Sequence, residues 1–359
     1  MRVAIIGAGN GGAAATVELT LAGHDVALHG RSLPTIQPFL NNGIGYQGVF
    51  GQGVLKPALI TTDLSEALEG ADCVVVALPT FALATVAADL HAAGWDGSRP
   101  VVLNPGHTGG AFEFETAYTK LGGRVPPIAE FATLAYVARK PAPDVVNVTG
   151  RAKALRAAAL RNGAAALQAA IELFPGSYDC GDVIASDLCN VNMIVHPPGA
   201  MLGASWVEAT GGDFTFYVQG LTDSVVRVME ALDRERIAVG REFGHDLPTI
   251  IAEMKAIGTV ETYASDDDYR AIAAGEANKR IKAPDSLTHR YYVEDFTHGL
   301  TPFLVYADIA GLEVPTARAI SNLHAIMVAG LPKPAPRDAV AMGLDGATLE
   351  SMIARAGKN

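Results

Sequence analysis

The sequence predicts an α/β fold, a doubly wound parallel sheet followed by an all-α second domain, and three observations predict it. Short apolar runs alternate with helical periodicity through the first half, a glycine-rich turn follows the first of those runs, and from Ser186 onward nearly every periodic segment has helical spacing. A chain of 359 residues exceeds one ordinary core, so two domains are expected, 1–185 and 186–359.

Residues 3–6 read as the first strand, 11–22 as a helix closed by Gly23, and 26–29 as the second strand, which together make a βαβ unit. Further strands read at 58–61, 73–78 and 101–104, connected by amphipathic stretches at 64–70 and 81–92. Strands this apolar suit a parallel sheet covered on both faces. After Pro126, runs at 128–131, 134–138 and 145–148 extend the sheet, and an alanine-rich helix is expected over 154–174. The second half carries long helical patterns at 188–195, 223–243 and 303–310, with no internal repeat.

Composition narrows the function. A net charge of −11, with no dense basic run to reverse it locally, excludes nucleic acid as the expected partner. Cys73, Cys180 and Cys189 have neither metal-ligand spacing nor an even count, so no metal is expected and a reducing cytoplasm fits. The apolar start after Arg2 is broken by Gly7, Gly9, Gly11 and Gly12, unlike a leader peptide. No apolar stretch reaches the roughly 20 residues a membrane span needs, so no membrane partner is expected.

The chemistry begins at Gly7-Ala-Gly9-Asn10-Gly11-Gly12. In such a loop the first glycine permits a tight turn, the second lets the backbone approach a pyrophosphate, and the third lets helix and strand pack closely. The helix N-terminus then offers unpaired N–H groups to the phosphates. Because the loop follows a strand and opens a helix, it reads as a Rossmann dinucleotide site. The second strand ends in His29-Gly30-Arg31-Ser32, with no carboxylate to accept from an NAD ribose. Arg31 and Ser32 can instead meet a 2′-phosphate, which favours NADP while leaving NAD possible. The alternative is that Arg31 is a solvated loop charge. Pro79 and Asn104 follow two other strands at the edge where ligands bind in parallel sheets; both also suit turns that merely end those strands.

In the helical half, Asn190-Val-Asn192 precedes His196-Pro197-Pro198. Asn192 and His196 are four apart, on one face of a helix that the prolines are expected to end, leaving His196 at its C-terminus. Reducing a C=O or C=N bond needs a proton donor beside the accepting carbon, and histidine suits that task. Glu294 and Asp295 follow Arg290 and precede His298-Gly299-Leu300; either carboxylate could orient His196, and either could be a solvated helix start.

Together, the glycine loop, Leu103-Asn104-Pro105-Gly106, the Asn190-Val191-Asn192 segment with His196-Pro197, and Glu294-Asp295 with Gly299-Leu300 resemble the opine dehydrogenase family over nearly the whole chain. The layout is that of its bacterial N-(1-D-carboxyethyl)-L-norvaline branch, with the octopine and nopaline branches more distant. The resemblance implies a Rossmann domain before an all-helical one, His196 as catalytic acid/base and Asp295 as its partner. It departs at Gly30, where NAD-using relatives carry an acid.

It also implies the reaction: an amino acid or amine and a 2-oxo acid such as pyruvate form an imine, which NADPH reduces, and the reverse oxidation. Asn192 is expected to hold substrate or a bridging water, and Arg139 and Arg290 are candidates for the substrate carboxylates. A simple 2-oxo acid reductase of the ketopantoate type is the first alternative. It would want a lysine on the helix after the sheet, yet none occurs between Lys153 and Lys255. The second is a non-catalytic NADP-sensing protein. The apolar helices of the second domain make a homodimer possible.

Overall fold

In a computed structural model describing residues 1–275 and 278–357, the chain divides into two compact units. One comprises Met1–Gly106, Gly110–Val183 and the chain from Arg355; the other comprises His107–Gly109 and Ile184–Ala354. The division therefore falls two residues before the expected 185/186 boundary, with two excursions that sequence reading did not contain. Asp187 holds the first, accepting from the Gly109 N–H at 2.8 Å, while Arg337 Nη1 donates to the Thr108 carbonyl at 2.8 Å. Arg355 holds the second by pairing with Glu115 at 2.6 Å.

Among its described residues the first unit carries the strands β1 (Arg2–Ile6), β2 (Asp25–His29), β3 (Ile44–Gly48), β4 (Gly53–Leu55), β5 (Leu59–Thr61), β6 (Cys73–Val76), β7 (Val101–Leu103), β8 (Ile128–Phe131), β9 (Tyr136–Ala142), β10 (Val145–Arg151), β11 (Leu155–Ala159) and β12 (Ser177–Asp179). Eight form one sheet in the order β12-β11-β8-β7-β6-β1-β2-β5. Its strands β8, β7, β6, β1, β2 and β5 are parallel, with Ile6 of β1 level with His29 of β2 and Val76 of β6, and the antiparallel β8–β11 pairing sets β11 and β12 in the opposite direction. The strand ends that carry the glycine loop, His29 and Asn104 therefore sit along one edge. Val3 to Ile6, Val74 to Val76 and Val101 to Leu103 are buried, as a sheet covered on both faces requires.

Three expectations are corrected. Residues 134–138 and 145–148 do not extend the main sheet: β9 and β10 form a hairpin in a second, four-stranded sheet with β3 and β4. That sheet is tied to the Asn10–Leu21 helix by Glu18, which takes Tyr136 Oη at 2.5 Å and Arg151 Nε at 3.1 Å. The alanine-rich segment is not one helix, because Leu155–Ala159 is a strand between β8 and β12, and the helix begins only at Ala164. Small buried alanines suit a strand flanked on both sides, and this pairing overrides their helical propensity. Finally, the helix holding His196 runs Val191–Thr210, straight through Pro197 and Pro198. Two backbone hydrogen bonds are forgone there, offset by burial of Met193, Ile194, Val195 and Ala200.

The second unit is helical among its described residues. Arg236 and Asp233, both fully buried, form its central ion pair at 2.6 Å. Arg236 also donates to the Leu188 carbonyl at 3.1 Å, which closes the Val183–Leu188 helix just before the helix of His196 starts. Tyr269 Oη and the Ile250 N–H occupy Asp233, so neither charge is left without partners. No helix among the described residues is long and apolar enough to cross a membrane.

Candidate active site

The glycine loop separates packing from ligand approach. Gly7 has φ +117°, and a Cβ there would meet the Ala77 carbonyl oxygen at 2.5 Å. A Cβ on Gly12 would collide with the Gly7 carbonyl oxygen, so this glycine sets the closeness of helix and strand, and one on Gly11 would meet Leu134 at 3.0 Å. Gly9 is different: a Cβ there would meet nothing within 4 Å. Gly9 and Asn10 are exposed at the start of the Asn10–Leu21 helix, whose N-cap has no side-chain hydrogen bond. Open space before uncapped N–H groups fits a pyrophosphate.

Asn104 supports the same fit. It is fully buried, its Oδ1 accepts from the Ala135 N–H at 3.1 Å, and its Nδ2 has no partner among the described residues. Such an orphaned donor is one a ligand can satisfy. Pro79 is exposed and opens the Thr80–Ala82 turn, which Thr80 Oγ1 anchors to the Gly106 carbonyl at 2.8 Å. At the end of β2, Arg31 is exposed, and Ser32 is the N-cap of the Leu33–Asn42 helix with its hydroxyl on Thr35 at 2.8 Å. A Cβ on Gly30 would strike Ile36 Cγ2, so an acidic side chain has no room at that position.

In the second unit, Asn190 caps the helix of His196, its Oδ1 accepting from the Asn192 N–H at 3.1 Å. Asn192 is half-buried on the following turn. His196 lies inside the helix and not at its C-terminus, so the helix dipole gives it no help; a carboxylate does. His196 Nδ1 donates to Asp295 Oδ2 at 2.8 Å, with the two side chains 6% and 1% exposed. Burial pushes the Asp295 carboxyl up, but His196 and then Arg290 outweigh it and hold the group below the ordinary carboxylate range. Glu294 points elsewhere, to Arg290 at 3.2 Å. The choice left open between the two acids is thus decided geometrically for Asp295.

Sequence reading missed the aromatic wall. Tyr291 stacks on the His196 ring with centroids 3.7 Å apart and planes at 21°, and Phe216 meets it edge-on at 5.9 Å. Tyr217 Oη lies 3.0 Å from His196 Nε2. Tyr217 belongs to a π-turn, Phe216–Gly220, and Asp295 immediately precedes another, Phe296–Leu300. Single π-turns are frequent at functional sites, but no sequence pattern marks them. His107 is also buried here, in the left-handed region at φ 57°; burial pulls its pKa down to about 3, against the opposing pull of Asp295. The arginine candidates separate: Arg290 is half-exposed within this cluster, whereas Arg139 is exposed on β9 of the first unit.

Residues 179–328 match the model of the NAD/NADP octopine/nopaline dehydrogenase α-helical domain, and residues 2–110 match that of the NAD-dependent glycerol-3-phosphate dehydrogenase N-terminus. An opine dehydrogenase of Arthrobacter sp. (strain 1C) is 29% identical over 350 residues, covering 96% of each chain. A structure of octopine dehydrogenase in complex with NADH and agmatine superposes with a TM-score of 0.77 at 20% identity, over 99% of this chain and 98% of that one. NADP⁺-bound yersinopine dehydrogenase gives 0.72 at 13% identity, over 99% and 98%. A dinucleotide loop in one unit, the helical-domain match over the unit that pairs His196 with Asp295, and a relative aligned along almost the entire length make the chain similar to opine dehydrogenases in sequence and fold.

Proposed function

We propose that this protein is an NAD(P)H-dependent dehydrogenase that condenses an amino acid or amine with a 2-oxo acid such as pyruvate, through an imine, and runs the reverse oxidation. The observation that carries this reading is the buried His196–Asp295 pair at 2.8 Å, in a chain that also holds an open GxGxxG loop. The relative from Arthrobacter is an opine dehydrogenase, and the octopine dehydrogenase structure holds NADH with an amine, both in accord with it.

His196 is the acid/base of the reaction, and Asp295 fixes its tautomer and balances its charge when protonated. Asn192, on the same helix face four residues earlier, holds substrate or a bridging water. Arg290 is the cation for a substrate carboxylate, and Arg139 is set aside from this role because it is solvated on β9. Gly7, Gly9, Asn10, Gly11, Gly12, Pro79 and Asn104 hold the dinucleotide, which when bound supplies the hydride. Burial around His196 excludes bulk water, so a proton moves between defined partners.

The preferred cofactor is NADP. Arg31 and the start of the Leu33–Asn42 helix offer positive charge where a 2′-phosphate would lie, and Gly30 has no room for the acid that NAD recognition uses. Removing a charge-assisted contact costs about 1.5–3 kcal/mol. Arg31→Ala should therefore raise the KM for NADPH by roughly 10- to 100-fold and leave that for NADH nearly unchanged. We place the enzyme in the cytoplasm, in keeping with three cysteines of unpaired spacing, and as a homodimer through apolar helix faces, which light scattering would check.

NADPH oxidation with pyruvate and a panel of amino acids, wild type against His196→Ala, tests the assignment. An amine-dependent rate that falls by about 10²- to 10⁴-fold in the variant is expected. Turnover of pyruvate without any amine would replace the condensation with simple 2-oxo acid reduction, and an undiminished rate in the variant would remove His196 from the mechanism.

A further inference from the structure

We propose that Tyr217 delivers the proton to the reacting centre, with His196 behind it as the proton reservoir. This rests on the condensation proposed above and adds a catalytic residue to it. An imidazole has two nitrogens, and both are taken: Nδ1 by Asp295 at 2.8 Å and Nε2 by Tyr217 Oη at 3.0 Å. One ring face lies under Tyr291, and Phe216 approaches edge-on. A proton on Nε2 therefore leaves along the bond to the Tyr217 hydroxyl.

That hydroxyl has one donor and two acceptor positions. His196 engages one and a hydrogen bond to Tyr291 a second, which leaves a third for substrate. Burial, then the neighbouring Tyr291, push the phenol well above its ordinary pKa, so Tyr217 stays a hydroxyl and relays by donating and accepting together. The placement is built into the backbone. Gly199, one turn past His196 on the same helix, has no side chain where a Cβ would meet Phe216 Cζ at 2.6 Å, and the Phe216 N–H is held by the Ile281 carbonyl at 3.0 Å. The π-turn that begins at Phe216 is thereby seated directly on the helix of His196.

The step balances as follows. Tyr217 Oη–H protonates the hydroxyl oxygen of the neutral carbinolamine formed from amine and 2-oxo acid. The C–O bond breaks, water leaves, and the nitrogen lone pair makes the C=N bond of an iminium. Tyr217 takes the proton from His196 Nε2–H, so the imidazolium becomes neutral as the iminium becomes cationic. A dinucleotide held by the glycine loop would supply the hydride that turns the iminium into a secondary amine.

Tyr217→Phe removes the relay oxygen and keeps the ring. With pyruvate and an amine that the wild type turns over, kcat should fall by about 10²- to 10³-fold while the pyruvate KM moves by less than about threefold. In the cofactor-free protein, the ¹⁵N resonance of His196 Nε2, assigned with His196→Gln, should shift in the variant while Nδ1 does not. A kcat retained or raised in Tyr217→Phe would overturn the relay, making Tyr217 a shutter over His196. An unmoved Nε2 resonance would overturn it irrespective of turnover. A wild type silent with every pyruvate and amine pair would sink the condensation instead, and the resonance would still decide whether Tyr217 holds Nε2.

Discussion

At His196 the two ring nitrogens face different groups, and the consequences of altering each differ. Asp295→Asn keeps the size of the side chain but removes the charge that fixes the tautomer, so kcat should fall by about 10²- to 10⁴-fold with little change in KM. Glu294→Gln removes the charge that pairs with half-exposed Arg290, away from His196, and should leave kcat within a few-fold, as steady-state kinetics on both variants would reveal. Equal losses would return Glu294 to candidacy. His196 and both acids were legible as candidates in the sequence because their residue types are themselves chemical. Tyr217 and Tyr291 were not, since an aromatic residue in a helical segment carries no sign of whether it packs in a core or covers an imidazole; only the 3.0 Å and 3.7 Å approaches do.

At the scale of elements, the glycine loop makes opposite predictions for two glycines of one motif. Gly9→Ala places a methyl in open space at an ordinary φ of −79°, so the thermal midpoint should hold or rise slightly while the Kd for NADPH weakens by about tenfold or more. Gly12→Ala drives its methyl into the Gly7 carbonyl, so that variant should lose folded protein first. Thermal unfolding with a fluorescence titration of NADPH separates the two, and equal destabilisation would deny Gly9 its ligand role. Elements read well from sequence where a local signal has one outcome, as at β1, the first helix and β2. They read poorly where partners decide: alanines became a strand because β8 and β12 flank them, and Pro197 and Pro198 stayed helical because their neighbours are buried.

Across the molecule, the second unit should be the acid-sensitive one. Burial pulls four of its histidines down from about 6.5 in an unfolded chain: His289, and more strongly His107 to about 3, His298 to about 2 and His324 to about 4. Above pH 6.5 both states are neutral and nothing changes. Below it the unfolded chain takes up protons that the folded unit refuses, so each group removes about 1.4 kcal/mol per pH unit until its folded pKa is reached. Asp295, held below its ordinary range, contributes stability that is lost only at still lower pH. Urea midpoints measured from pH 7 to 4.5 should fall steadily; a flat profile would contradict the burial of these imidazoles. The sequence by itself determined the α/β order, the dinucleotide loop and a candidate histidine with two candidate carboxylates, because periodicity, glycine geometry and titratable side chains are properties of local text. Tertiary structure alone decided the second sheet, the helix that passes through its prolines, the contact of Asp295 with Nδ1 and the tyrosine on Nε2. Each of these depends on what another segment brings within a few ångströms, and no window of sequence contains that distance.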